Sequence, residues 1–215
     1  MICYDYINDY IRSTIKKSDA MLKNMEEYAK KNNVPIVHPE VARFLTVLGR
    51  IKKPKYILEI GTAIGYSAIV MSEFLQSDGR IDTIEKDENV LKKASENIKS
   101  LGLSNTINLM HGDAEIVLDK IDAKYDMVFI DASKGHYMDF LKKSLGKLNQ
   151  DAIIVSDNVL YKGMVANDEL IIKRKKTIVK RLREYLDFIC NNKLLDTSII
   201  PIGDGVAVSY YRKHK

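Results

Sequence analysis

From Lys55 onward the chain alternates short apolar runs with amphipathic stretches, and this alternation restricts the possible fold more than any other feature. KYILEIG, RIDTIE, TINLMHG, YDMVFID and AIIVSD are brief and rich in Ile and Val, as strands buried on both faces must be. Between them, segments such as 88–101 and 136–148 carry helical spacing. The βαβα order predicts a parallel sheet with helices on both faces. The closing TSIIPIGDGVAVSYY reads as two strands around a turn at residues 201–205, hence an antiparallel terminal hairpin. Residues 1–50 read as a helical cap: Met21, Met25 and Tyr28, then Val41, Phe44, Leu45 and Leu48, recur at helical intervals. Pro35 and Pro39 bracket an extended connector at 34–38.

Length and composition fit a single domain over residues 1–215. The chain is 46% hydrophobic and 29% charged, within the globular range. No apolar run approaches the roughly 18–20 residues that span a bilayer, so no membrane association is expected. No basic segment followed by an apolar stretch opens the chain, and Cys3 and Cys190 make neither a disulfide framework nor a metal cluster. A cytoplasmic location is therefore expected. The net charge of +5 is concentrated: residues 162–193 hold nine Lys/Arg and four Asp/Glu, leaving 25 of each sign elsewhere. This basic segment reads either as a solvated helix face or as a docking surface for a polyanion.

The chemistry-bearing residues fall at strand ends, where open α/β sheets bind ligands. The first strand enters a glycine loop, Ile57-Leu-Glu-Ile-Gly61-Thr-Ala-Ile-Gly65-Tyr-Ser67, and glycine there lets backbone approach a ligand. The spacing is not G-x-G-x-x-G, which favours a nucleoside-and-amino-acid cradle over a pyrophosphate one. Glu59, just inside the strand end, is positioned to meet a cationic ligand. Glu85 ends the second strand 24 residues after Gly61. It suits a pair of ribose hydroxyls, or else it starts the next helix. Asp113 ends the third and suits an adenine amino group, an N-cap, or both. The fourth strand ends at Asp131 and the fifth at Asp157-Asn158. Neighbouring strands would bring these together as a hard, all-oxygen set suited to Mg²⁺. The four histidines lack mutual ligand spacing, which argues against zinc.

These residues resemble the cation-dependent class I O-methyltransferases, the family of catechol and caffeoyl-CoA O-methyltransferases. The resemblance covers residues 34–212 through LEIGTAIGYSA, Glu85, the GDA at 112–114, FIDASKGHY, SDNVL and PIGDGVAVS. It implies a Rossmann-like seven-stranded, mostly parallel sheet with an antiparallel last strand, plus extra N-terminal helices. It implies S-adenosylmethionine as methyl donor and Mg²⁺ on Asp131, Asp157 and Asn158. Gly61, Thr62, Ser67, Glu85, Asp113, Ala114 and Asp131 would then line the cofactor site, with Gly65 in the same loop and Val37 covering the methionine end. Lys134 matches the lysine that the family places near the acceptor hydroxyl; a lysine beside a divalent cation suits accepting a proton. The alternative is an ordinary surface lysine. The loop here reads Ala-Ser-Lys-Gly and the chain has no tryptophan, unlike the catechol enzymes.

Within the family, VPIVHPEVARFL, the LEIGTAIGYSAIVMS core and the stretch after SDNVLYKG look closest to bacterial enzymes that methylate 5-hydroxyuridine at the tRNA wobble position. Residues 165–189 read as one amphipathic helix, with Ile171, Ile178, Leu182 and Ile189 toward the core. Lys173, Lys176, Lys180 and Arg183 form a stripe on another face which, with Lys162, is expected to meet the anticodon arm. A small-molecule catechol or acyl-CoA O-methyltransferase would use the same metal and cofactor sites. A dinucleotide oxidoreductase and a catalytically silent RNA-binding protein fit less well, because of the glycine spacing and the intact Asp131/Asp157/Asn158 set. Tyr4, Tyr6 and Tyr10 are expected at the surface of the N-terminal helices, where a second subunit would pack, as is common in the family.

Overall fold

A computed structural model describes residues 2–16 and 20–212. Its seven strands are β1 (Tyr56–Ile60), β2 (Arg80–Glu85), β3 (Ile107–His111), β4 (Tyr125–Ile130), β5 (Leu148–Ser156), β6 (Leu195–Ile200) and β7 (Val206–Tyr211). They form one sheet in the order β3-β2-β1-β4-β5-β7-β6. β1 to β5 pair in parallel, while β7 runs antiparallel to both β5 and β6. The terminal hairpin and the antiparallel last strand thus form as expected.

The apolar runs earn their continuity from burial on both sides. In β4, Met127 and Phe129 enter one core and Val128 and Ile130 the other, following the period of two along a strand. The first core is covered by α2 (Ala20–Asn32), α3 (Pro39–Lys52), α4 (Tyr66–Ser72) and α5 (Glu88–Ser100). The second is covered by α6 (Ala114–Lys120), α7 (Tyr137–Leu145) and α8 (Lys176–Asn191). α1 (Asp5–Thr14) contributes no buried residue, and its Tyr4, Tyr6 and Tyr10 flank is about 70% exposed. No helix among the described residues is long and apolar enough to cross a membrane.

Two helical expectations are corrected. The helix after the 3-10 turn at residues 134–136 ends at Leu145, because Leu148 already begins β5. The single helix expected over 165–189 is absent in its first half. α8 begins only at Lys176, preceded by isolated 3-10 turns at Asp168–Leu170 and Lys173–Lys175. Asn167 accepts the Glu169 N–H, the local bond by which Asn competes with helix propagation, and Ile171 and Ile172 stay extended. Ile171 is consequently a half-buried loop residue, whereas Leu182 and Ile189 reach the core as expected.

Candidate active site

The sheet order reverses between β1 and β4, which opens a crevice at their carboxyl ends. Gly61 lies at its base with φ +105°; a Cβ there would come within 2.1 Å of the Asp131 carbonyl oxygen. The two strand ends are tied by the Asp131 N–H donating to the Ile60 carbonyl at 3.0 Å. Only glycine permits this approach.

The carboxylate of Glu85 accepts from the backbone N–H of Ala63 at 3.1 Å, Lys86 at 2.9 Å and Asp87 at 3.0 Å. It is not the cap of α5; Asp87 caps that helix through the Asn89 and Val90 N–H groups. Asp113 does cap α6, through the Glu115 N–H at 2.9 Å, and also lines the crevice. The crevice is a cavity of about 360 Å³. Gly61, Glu85, Asp113, Ala114, Asp131, Lys134 and Asn158 all line it.

Glu59, Thr62, Gly65 and Ser67 do not line that cavity: Thr62 and Gly65 belong to the loop itself, and Glu59 and Ser67 flank it on β1 and α4. Glu59 is fully buried and accepts from Ser67 Oγ and Thr83 Oγ1, each at 2.5 Å. The Thr62 and Thr83 hydroxyls share a hydrogen bond at 2.7 Å. Burial pushes the Glu59 carboxyl up to about 8, against the pull of its two hydroxyl donors. Gly65, at φ +83°, begins α4. These four residues set the shape of the loop without lining the cavity.

Asp131 and Asp157 follow paired positions of β4 and β5, Ile130 opposite Ser156. Asp157 is fully buried. Its Oδ1 accepts the Asn158 N–H at 2.7 Å, but its Oδ2 has no partner, the single buried side-chain polar atom so left among the described residues. Burial and the neighbouring Asp131 raise the Asp157 carboxyl to about 8, and burial also raises Asp131, opposed by Lys134 and His38. An orphaned carboxylate oxygen beside a second acid, with the Asn158 amide next in sequence, is a donor set that a hard divalent cation satisfies. Asn158 itself is held at φ 55°.

The loop that follows is splinted by the β6–β7 turn. Val159 N–H donates to the Gly205 carbonyl at 2.9 Å, Leu160 N–H to the Asp204 carbonyl at 3.1 Å and Lys162 N–H to Asp204 Oδ1 at 2.5 Å. Beyond Lys134 and Asn158 the crevice continues into a wider cavity of about 930 Å³, lined also by Val37, His38, Tyr161, Lys162 and Asp204. Val37 is buried on this second side, while Pro35 and Ile36 of the connector border both cavities. Sequence reasoning passed over His38 and Asp204, and over Glu115, Ser133, His136 and Phe140 of the first cavity. Ser133 and His136 lie inside the FIDASKGHY run, and Phe140 sits one helical turn on. The run itself was therefore the signal.

The basic segment is placed beside this rim but is less continuous than a single helical stripe. Arg181 Nη1 donates to the Gly135 carbonyl at 3.0 Å, fastening α8 to the turn that bears Lys134. Lys173 lies in the preceding 3-10 turn, Lys176 and Lys180 are exposed on α8, and Arg183 turns back to Val165 O at 2.9 Å and Asp168 Oδ1 at 2.5 Å.

Residues 12–212 match the family model described as O-methyltransferase. The catechol O-methyltransferase of Niastella koreensis is 29% identical over 92% of this chain and 90% of its own length. The caffeoyl-CoA O-methyltransferase of Medicago sativa is 26% identical over 95% and 86% respectively. Among solved structures, the Bacillus cereus O-methyltransferase in complex with SAH superposes with a TM-score of 0.87 at 26% identity, covering 99% of this chain and 100% of that one.

Proposed function

The chain belongs to the O-methyltransferase family, and from that premise we propose that this S-adenosylmethionine-dependent enzyme methylates one oxygen of a chelating pair held on Mg²⁺ by Asp131, Asp157 and Asn158. The observation that carries the reading is the buried, partnerless Asp157 Oδ2 beside Asp131 at the rim of the cofactor-sized crevice. A divalent cation held there would lower the acceptor hydroxyl's pKa and fix both oxygens of the pair. The donor supplies an electrophilic methyl on a sulfonium. Glu85 and Asp113 face the first cavity at positions suited to ribose hydroxyls and an adenine amino group. Lys134 borders both cavities, and its Nζ, favoured as the neutral amine once a divalent cation is held beside it, would take the hydroxyl proton as the methyl transfers.

The acceptor in this reading is 5-hydroxyuridine at the tRNA wobble position, converted to 5-methoxyuridine in the cytoplasm. Its 5-oxygen and 4-carbonyl form a chelating pair, and anticodon-loop bases can be splayed into a pocket. The exposed Lys162, Lys173, Lys176 and Lys180 beside the Lys134 turn support a phosphate-bearing partner. The second reading, a catechol or acyl-CoA acceptor at the same sites, is favoured by the names of the relatives. A homodimer through the exposed α1 tyrosines belongs to the same proposal.

Labelled S-adenosylmethionine and Mg²⁺, incubated with tRNA containing 5-hydroxyuridine or with a catechol panel, separates the two. Label on tRNA is expected; label on catechols alone would overturn the tRNA acceptor and leave the second reading. Asp157→Ala should abolish transfer to any acceptor, and a fully active variant would remove the metal.

A further inference from the structure

The wider cavity, on the acceptor side of Lys134 and Asn158, is closed in part by residues from the very start of the chain: Ile2, Cys3 and Asn8. The helix that carries Asn8 is held in an unusual way. α1 buries none of its residues fully, Ile7 being its one half-buried apolar side chain, so it lacks the fully buried apolar anchor that the other α-helices have. What fastens it is Arg12. Its Nε donates to Glu40 Oε2 at 2.8 Å and its Nη2 to Glu40 Oε1 at 2.9 Å, a two-pronged pairing. The same Nη2 lies 3.0 Å from His38 Nδ1. The Glu40 side chain is 2% exposed, at the first turn of α3. Burial alone would raise its carboxyl, but the Arg12 hydrogen bonds and charge hold it below the usual carboxylate range. Such a carboxylate needs its cation, since removal of one partner strands the other. His38 in turn lines the cavity and packs near Gly203 of the β6–β7 turn.

We infer that α1 is the acceptor-specificity wall of this enzyme: Asn8 borders the acceptor, and Arg12 with Glu40 is the pair that positions it. The identity of the acceptor rests on the methyl-transfer reading above; the latch does not. Arg12 and Glu40 are positioning residues, so their loss should act on acceptor binding and leave the donor site, across the Lys134 divide, untouched. Arg is suited to this role because its planar fork matches a carboxylate in two places, which a lysine cannot do.

The test uses the full chain with Arg12→Ala, Arg12→Lys, Glu40→Gln and Asn8→Ala. Hydrogen exchange over residues 5–14, measured without any acceptor, should rise at least about tenfold in Arg12→Ala and Glu40→Gln, less in Arg12→Lys, and not in Asn8→Ala. Unchanged exchange in Arg12→Ala and Glu40→Gln would overturn the latch, whatever the acceptor proves to be. With the acceptor that takes label in the assay above, KM should rise roughly tenfold in all but Arg12→Lys. The kcat should hold within about twofold, as should the Kd for S-adenosylhomocysteine. If exchange rises while acceptor KM is unmoved, α1 is latched but is no specificity wall, and the inference fails. If a variant loses S-adenosylhomocysteine binding as well, the damage is to the fold, and Asn8→Ala, which leaves the ion pair intact, decides on KM alone. If no acceptor is methylated by the wild type, the function reading has failed and the exchange result still judges the latch.

Discussion

At the scale of the residue, Glu59 shows what a strand position does and does not reveal. Its place just inside the end of β1, before a glycine loop, suggested a carboxylate that meets a cationic ligand. The alternation of side chains along β1 puts it on the same face as Ile57, the face covered by α4. There Ser67 and Thr83 consume both its oxygens. The rule of two was legible; the partners, 8 and 24 residues away, were not. The consequence is a pH dependence with a definite sign. The folded carboxyl is raised to about 8 by burial, whereas the unfolded one titrates in the ordinary range. The folded state therefore binds the extra proton between those limits, and stability falls as pH rises through them. The loss attributable to Glu59 is at most about 5 kcal/mol, at 1.36 kcal/mol per unit. Urea unfolding at pH 5, 7 and 9 should show Glu59→Gln losing less stability with rising pH than wild type. Parallel curves would mean that Glu59 carries no such penalty.

At the scale of the element, the strands were read closely because their signal is continuous apolar burial, which both packed faces enforce. The stretch 165–175 was misread because its apolar spacing mimics a helix while Asn167 offers the backbone a local alternative. The PIGDG turn was legible as a turn, but not its task of bracing the loop after Asn158, which depends on β7 lying beside β5. Gly205, at φ +86°, has Leu160 Cγ within 2.4 Å of where a Cβ would stand. Gly205→Ala should therefore displace the loop that Val159 and Leu160 anchor. The expected outcome is a divalent-cation affinity about tenfold weaker by calorimetry, with S-adenosylhomocysteine affinity unchanged, since neither Gly205 nor Leu160 borders the first cavity. Equal losses for both ligands would point to global damage instead.

At the scale of the whole molecule, the sheet gathers at one edge acids that the sequence holds far apart. Glu59 and Asp131 belong to adjacent strand ends, and Asp157 to the next. Each is raised above its ordinary range, so near neutral pH the folded chain holds carboxyls in an environment that disfavours their charge. The excess positive charge of the chain sits in the 162–193 segment, outside the buried end of β5, and Lys134 is the nearby lysine that eases both Asp131 and Asp157. A cation bound only by the folded state therefore stabilises it by mass action, about 2.7 kcal/mol at a hundredfold excess over Kd. For a domain of this length that corresponds to a rise of roughly 5–10 °C in Tm. Mg²⁺ against EDTA in a thermal melt at pH 8 should show that rise in the wild type and not in Asp157→Asn, where the partnerless oxygen is replaced by an uncharged amide. A wild-type melt indifferent to Mg²⁺ would leave the buried acids unexplained by any metal, and would return them to the fold as a cost that the two packed cores must carry.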